Sequence, residues 1–270
     1  MLIRLLSINI WDLPLPLPGS ARRARRKRLL RALSEVDADL ILIQESFLPS
    51  FRPRLAAALT EHQPDHFFSG RRRHFVLPMD TSGGLATFSR LPLVQSFYQR
   101  FRSWSGMKPD ERIGRKGCLW TEYVVNGGRV LVGNAHLYAG MGARAGRARS
   151  VQVRGLLRRL ERAPSIPTIV AGDFNMAIEH EHTTAGPTGF DLMSQAGFSE
   201  VAAGVTGSIA TISRSRNPFA RYTPWRKPDR RLTQVFFRGP GISVAEAPSL
   251  CLDDPPVSDH FGLLTTLAIR

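Results

Sequence analysis

Apolar positions along the chain fall into short runs separated by Gly, Pro and charged clusters, which predicts many strands and few helices. Residues 3–10 are branched and apolar and predict a buried first strand. A loop carrying Pro14, Pro16 and Pro18 follows, and the basic stretch from Arg22 to Arg31 then brings Leu29, Leu30 and Leu33 to helical spacing. Residues 39–45 form a continuous apolar run ending in Glu45, the pattern of a strand buried on both faces with a functional residue at its carboxyl end. Residues 51–59 predict a second helix. Further strands are expected over residues 84–89, 93–97, 119–125, 129–136, 168–172, 231–237 and 261–269. The clearest amphipathic helix is residues 151–162, with Val153, Leu156, Leu157 and Leu160 on one side and arginines around them. Residues 104–117 and 178–228 read as long loops, which in a compact domain are usually functional. Strands outnumber helices, so the expected architecture is sheets packed on each other with helices outside.

Composition adds bounds. With 270 residues and 43% hydrophobic content, one domain spanning residues 1–270 can bury its own core. Net charge is +15, which concentrates polyanions such as nucleic acid or anionic membrane around the molecule, although arginine-rich coding would produce the same excess. Cys118 and Cys251 are too few for a disulfide framework and are expected to be buried thiols. The first six residues begin like a secretion signal, but Asn9, Asp12 and the prolines interrupt any apolar segment, which suggests a cytoplasmic protein. No run approaches the roughly 18 apolar residues of a membrane span.

Candidate chemistry sits at the ends of the apolar runs. Glu45 closes one; Asn134 and His136 close a second; Asp173 and Asn175 follow a third; Asp259 and His260 precede the last. One such polar residue would more often be a cap or turn, but four groups together need another explanation. Carboxylates and amide oxygens are hard ligands suited to Mg²⁺ or Mn²⁺, and two histidines can supply acid and base. A phosphodiester repels hydroxide, so its hydrolysis calls for both.

The ordered segments Leu6-Ser7-Ile8-Asn9-Ile10-Trp11, Leu42-Ile43-Gln44-Glu45, Ser82-Gly83-Gly84-Leu85-Ala86-Thr87-Phe88-Ser89-Arg90, Gly133-Asn134-Ala135-His136-Leu137, Ala171-Gly172-Asp173-Phe174-Asn175 and Val257-Ser258-Asp259-His260 resemble the endonuclease/exonuclease/phosphatase superfamily, typified by DNase I and neutral sphingomyelinases. The resemblance implies an α/β (α+β) four-layer sandwich, two packed mixed sheets flanked by helices, with the site at one rim. It also implies roles. Glu45 would be the principal ligand of the ion, with Asn9 and Asp259 nearby; Asp173 and Asn175 would position the phosphate, the water or a second metal. His260 would be the base or a phosphate contact, His136 would stabilise phosphoryl oxygens or protonate the leaving group, and Asn134 would bind substrate.

Within the superfamily the sphingomyelinase branch is the most similar. Its marks are Asn9-Ile10-Trp11-Asp12-Leu13-Pro14, Arg115-Lys116-Gly117 and Asn217-Pro218-Phe219, and they make Lys116 a candidate phosphate contact or, equally, an exposed loop lysine. One departure concerns the second histidine. A family aspartate that orients it is replaced by Thr233, whose hydroxyl can accept the same hydrogen bond but stabilises an imidazolium less. Asp229, Asp253 or Asp254 could substitute. Thr211-Ile212-Ser213 also departs from the branch's pattern.

The expected function is therefore a divalent-metal-dependent phosphodiesterase acting on a phospholipid headgroup, with possible peripheral contact with anionic membrane. Two alternatives stand beside it. A DNase I-like nuclease or phosphoinositide phosphatase would grip phosphates with clusters at residues 22–28, 71–73 and 144–162 and stack Trp104, Trp225 or Phe219 on bases. A catalytically weakened protein would bind anionic membrane or nucleic acid without turnover.

Overall fold

The computed structural model describes residues 1–15, 17, 20–62, 79, 83–103, 106–161, 166–177, 186–205, 209–222 and 229–270. The expectations resting on residues 71–73, Ser82, Trp104, Arg162 and Trp225 lie outside these. In chain order the elements are β1 (Leu2–Asp12), α1 (Arg22–Glu35), β2 (Leu40–Ser46), α2 (Arg52–Ala58), β3 (Ala86–Ser89), β4 (Leu93–Arg100), α3 (Pro109–Gly114) and β5 (Gly117–Val125). They continue with β6 (Gly128–His136), α4 (Gly142–Leu160), β7 (Thr168–Asp173), α5 (Gly189–Gln195), β8 (Ser199–Glu200), a 3-10 turn (Pro218–Tyr222), β9 (Thr233–Arg238), β10 (Ile242–Cys251) and β11 (Gly262–Ile269).

The strands form two mixed sheets. One runs β10-β11-β1-β2-β3 and the other β4-β5-β6-β7-β9-β8. Each has one parallel pair at its centre, β1 with β2 and β6 with β7. Alternation along the strands explains the layers. In β1, Ile3 and Leu5 meet Leu40 and Leu42 of β2 and the inward residues Val130, Val132, Ile169, Ala171 and Val235 of the second sheet. The opposite positions Leu6, Ile8, Ile41 and Ile43 pack under α1 and α2 through Leu29, Leu33 and Leu55. On the far side, Val153, Leu156 and Leu160 of α4 and Met193 of α5 cover Trp120, Val170 and Phe236. The result is the expected four-layer sandwich.

Three expectations change. Helix α4 begins at Gly142, well before Val151, because its first turns bury Ala145, Gly146 and Ala148, small residues that leave no leucine periodicity. The two long loops are not structureless: the first contains α3, and the second contains β8, the 3-10 turn and α5, whose start is fixed by a Thr188/Asp191 capping box. Strand β10 lies at a sheet edge with most positions exposed, interrupted by bulges and carrying Pro248, so no burial pattern marks it.

Candidate active site

The inward faces turn polar toward one shared rim. After Leu5, β1 presents Ser7 and Asn9; after Leu42, β2 presents Gln44; after Val132, β6 presents Asn134 and His136; after Ala171, β7 presents Asp173. Register then lines up His136, Asp173 and Thr233 across β6, β7 and β9. Two polar tiers result.

The inner tier ties the sheets together. Gln44 Nε2 donates to Asn134 Oδ1 at 2.8 Å and to Ser7 Oγ at 3.3 Å, while Asn134 Nδ2 donates to the carbonyls of Ile43 at 3.1 Å and Ala86 at 2.9 Å. Asn134 is wholly buried and its amide is consumed by these bonds, so the substrate contact expected of it is corrected to a brace between sheets.

The outer tier gathers the remaining groups. Glu45 has φ of +59°, a left-handed backbone uncommon outside glycine, and its Oε1 lies 3.8 Å from His136 Nε2 on the opposite sheet. Asp173 Oδ2 stands 3.6 Å from His136 Nε2 and 3.9 Å from His260 Nε2. Asp173 is itself held: Asn9 Nδ2 donates to Oδ2 at 2.9 Å and the Asn175 backbone N–H to Oδ1 at 3.0 Å. Asn175, with φ of +51°, donates its side-chain amide to the Leu137 carbonyl at 3.1 Å. The Asn9 oxygen accepts from the Trp11 N–H at 3.0 Å, so the face Asn9 turns to the site is its NH₂ group. Beside its expected part as a ligand, that group donates to Asp173 and steadies Glu45.

Burial sets the charges. Desolvation and the neighbouring Asp259 carboxylate push Glu45 up to about 7, against the pull of Lys116. Desolvation also raises Asp259, opposed by His260 and Arg25. His136 is held well below the ordinary histidine value by burial, then by Lys116 and His260, so its ring is neutral.

Donor atoms of Glu45, His136 and Asp173 all lie within 4.8 Å of one another. Both ring nitrogens of His136 are buried without a hydrogen-bond partner among the described residues. Crowded acids beside a neutral, unpartnered imidazole fit a cation. Glu45, named in the sequence as the principal ligand, is one of these three; Asp259 stands beside it and acts on Glu45 through space.

Lys116 is buried rather than exposed. Its ammonium pairs with Glu111 at 2.9 Å and donates to the Leu137 carbonyl at 3.1 Å. Thr233 does not accept a bond from His260: Thr233 Oγ1 and His260 Nδ1 are both buried without a partner among the described residues. None of the suggested substitutes fills the gap, since Asp229 and Asp254 are exposed and Asp253 pairs with Arg216 at 2.8 Å.

Several supporting residues carry no sign in the sequence of the partners they hold. Arg25, read as part of a basic cluster, is buried; it donates to the carbonyls of Ile10, Trp11, Ser20 and Val257 and lies 4.4 Å over the Trp11 ring. Asn217 Nδ2 donates to the Ser258 carbonyl at 2.9 Å, and Thr211 Oγ1 receives the N–H groups of Leu232 and Thr233. The Arg25 and Asn217 bonds, with the Phe261 N–H donating to the Thr211 carbonyl at 2.8 Å, hold the loop carrying Asp259 and His260, while the Thr211 hydroxyl holds the start of β9.

Two mixed sheets between helical layers, with acids and histidines converging at one rim, define a DNase I-like sandwich. The family model "Endonuclease/Exonuclease/phosphatase family" matches residues 6–260, and the chain belongs to that family. Among solved structures it is similar to SmcL, with 17% identity over 100% of this chain and 99% of that one, at a TM-score of 0.76. Sphingomyelinase C from Streptomyces griseocarneus is 19% identical with 100% of each chain covered and a TM-score of 0.71. D. rerio TDP2 complexed with single-strand DNA product is 17% identical with 98% of each covered and a TM-score of 0.70. No curated protein sequence matches.

Proposed function

We propose that the chain is a divalent-metal-dependent phosphodiesterase acting on a phospholipid headgroup. The observation that carries the metal-dependent reading is the convergence of Glu45, His136 and Asp173 at the rim beside Asp259 and His260. The lipid preference rests on the sphingomyelinase-like segments at Asn9 to Pro14, Lys116-Gly117 and Asn217-Pro218-Phe219, and on the fold shared with Sphingomyelinase C.

Glu45, Asp173 and His136 would hold Mg²⁺ or Mn²⁺, which when bound neutralises charge on the phosphate and acidifies water. The remaining groups act directly. His260, 3.9 Å from Asp173, is the base in this reading. Neutral His136 has no proton to spare for a leaving group, so its place in this reading is beside the ion and not as the acid. Asn9 and Asn175 fix the Asp173 carboxylate, and Lys116 supplies positive charge beside Glu45, with two of its three donors spent inside the protein.

The test is an activity screen over sphingomyelin, phosphoinositides, double-stranded DNA and RNA with Mg²⁺ or Mn²⁺, beside EDTA and Glu45→Ala controls. Headgroup release sensitive to both controls is expected. Cleavage of nucleic acid alone would move the assignment to a nuclease, a reading that the fold shared with DNA-bound TDP2 supports. No turnover under either metal would leave the weakened binding protein that Thr233 permits.

A further inference from the structure

The rim that carries the site also carries exposed aliphatic side chains. The loop leaving β1 beyond Asn9 presents Leu15 at 66% exposure and Leu17 at 40%. The loop leaving β6 just beyond His136 presents Met141 at 52%. Asn9 and His136 both approach Asp173, so these loops depart from the same opening, one from each sheet. Around the two leucines, Arg22 donates to the carbonyls of Leu13 and Pro14, and the Ser20 N–H donates to the Leu17 carbonyl at 3.0 Å. Water receives no benefit from aliphatic tips held outward in this way.

Beside the loop lies a groove of about 810 Å³ between α1 and α2, lined by Arg22, Arg23, Arg26, Lys27 and Arg54. Arg26 is paired with Asp12. Arg23, Lys27 and Arg54 are exposed and have no carboxylate partner among the described residues. No acidic residue occupies the first turn of α1 to balance them.

Aliphatic tips next to unbalanced cations match an anionic bilayer, in which acyl chains lie under phosphate-bearing headgroups. A nucleic acid would be complementary to the cations alone, since its bases call for aromatic platforms rather than leucines. We propose that this rim is a docking face for anionic phospholipid membrane: Leu15, Leu17 and Met141 enter the acyl boundary while Arg23, Lys27 and Arg54 take up headgroup phosphates. The proposal rests on the lipid reading of the site, because docking there turns the opening toward the membrane. Among the described residues no helix is long and apolar enough to cross a membrane, so this contact is peripheral.

The experiment is sedimentation of the full chain with vesicles of phosphatidylcholine alone or with a phosphatidylglycerol admixture. Hydrolysis of a soluble diester, bis(p-nitrophenyl) phosphate with Mg²⁺, is measured in parallel. Wild type is expected to bind the anionic vesicles. Leu15→Ser combined with Leu17→Ser, and separately Arg23→Glu with Lys27→Glu, should each weaken binding about tenfold or more while melting temperature and soluble turnover stay unchanged. Equal vesicle binding by wild type and both variants overturns the proposal. So does failure to bind anionic vesicles accompanied by salt-sensitive retention of a single-stranded DNA oligonucleotide that the charge reversal abolishes. Vesicle binding without any diester turnover supports the docking face and rejects the phosphodiesterase reading, so the two fail separately.

Discussion

Glu45 combines a left-handed backbone with a carboxyl that burial and Asp259 push up to about 7. Both conditions are unfavourable in isolation, and a cation beside the carboxyl relieves the second. Because the folded value lies above the ordinary glutamate value of 4.5, the metal-free fold binds this proton more tightly than the unfolded chain does, and it loses stability as pH rises from that value through about 7. Added Mg²⁺ must displace the proton, so its stabilisation should grow across the same window and then level off. Melting curves in EDTA and in millimolar Mg²⁺ between about pH 5 and pH 8 check this; a melting shift independent of pH counts against Glu45 as a ligand. Glu45→Gln should abolish both the Mg²⁺ shift and turnover. His260 tests a different point. Its Nδ1 lacks a partner among the described residues, so Thr233→Asp should supply an acceptor that orients the ring and should raise turnover. Unchanged turnover would mean the two side chains do not communicate.

Elements fix these residues through close approaches that tolerate little change. Gly172 sits between Ala171 and Asp173 with φ of +145°, and a Cβ there would fall 1.9 Å from the Ala135 carbonyl oxygen of the paired strand. Gly172→Ala should therefore cost about 3 kcal/mol or more and lower activity by displacing Asp173, as read by denaturant unfolding and turnover together. Helix α5 offers the contrast. Removing its Thr188 cap by Thr188→Ala should cost about 1 kcal/mol with kcat unchanged, because the helix packs behind the second sheet and away from the rim. The same elements show what a sequence reveals. β1, β2, β6 and β7 are central strands whose runs of branched residues end in functional groups, so both strand and site residue were legible. β10 and the first half of α4 were not, since an exposed edge and a small-residue interface leave no hydrophobic period.

At the scale of the whole molecule, the sandwich followed from the order of motifs, and the fold brings Glu45, His136 and Asp173 together with His260 3.9 Å from Asp173. The partners of these residues did not follow from that order, because hydrogen bonds between sheets join positions far apart in sequence that no local pattern couples. Asn9 and Asn134 show this: the family resemblance implied a ligand and a substrate contact, and nothing local marked the amide of one as the donor holding Asp173 or that of the other as a brace between sheets. The Arg25 network is a second case, a buried cation concealed within a run of basic residues.

The bonds from Gln44 and Asn134 have a mechanical consequence. Glu45 and Asn9 come from one sheet and His136 and Asp173 from the other, so the seam between sheets is where a jaw would open. The tie just beneath them latches that jaw shut. The site then works as a fixed die rather than a closing hand, and discrimination among substrates falls to the loops around its mouth.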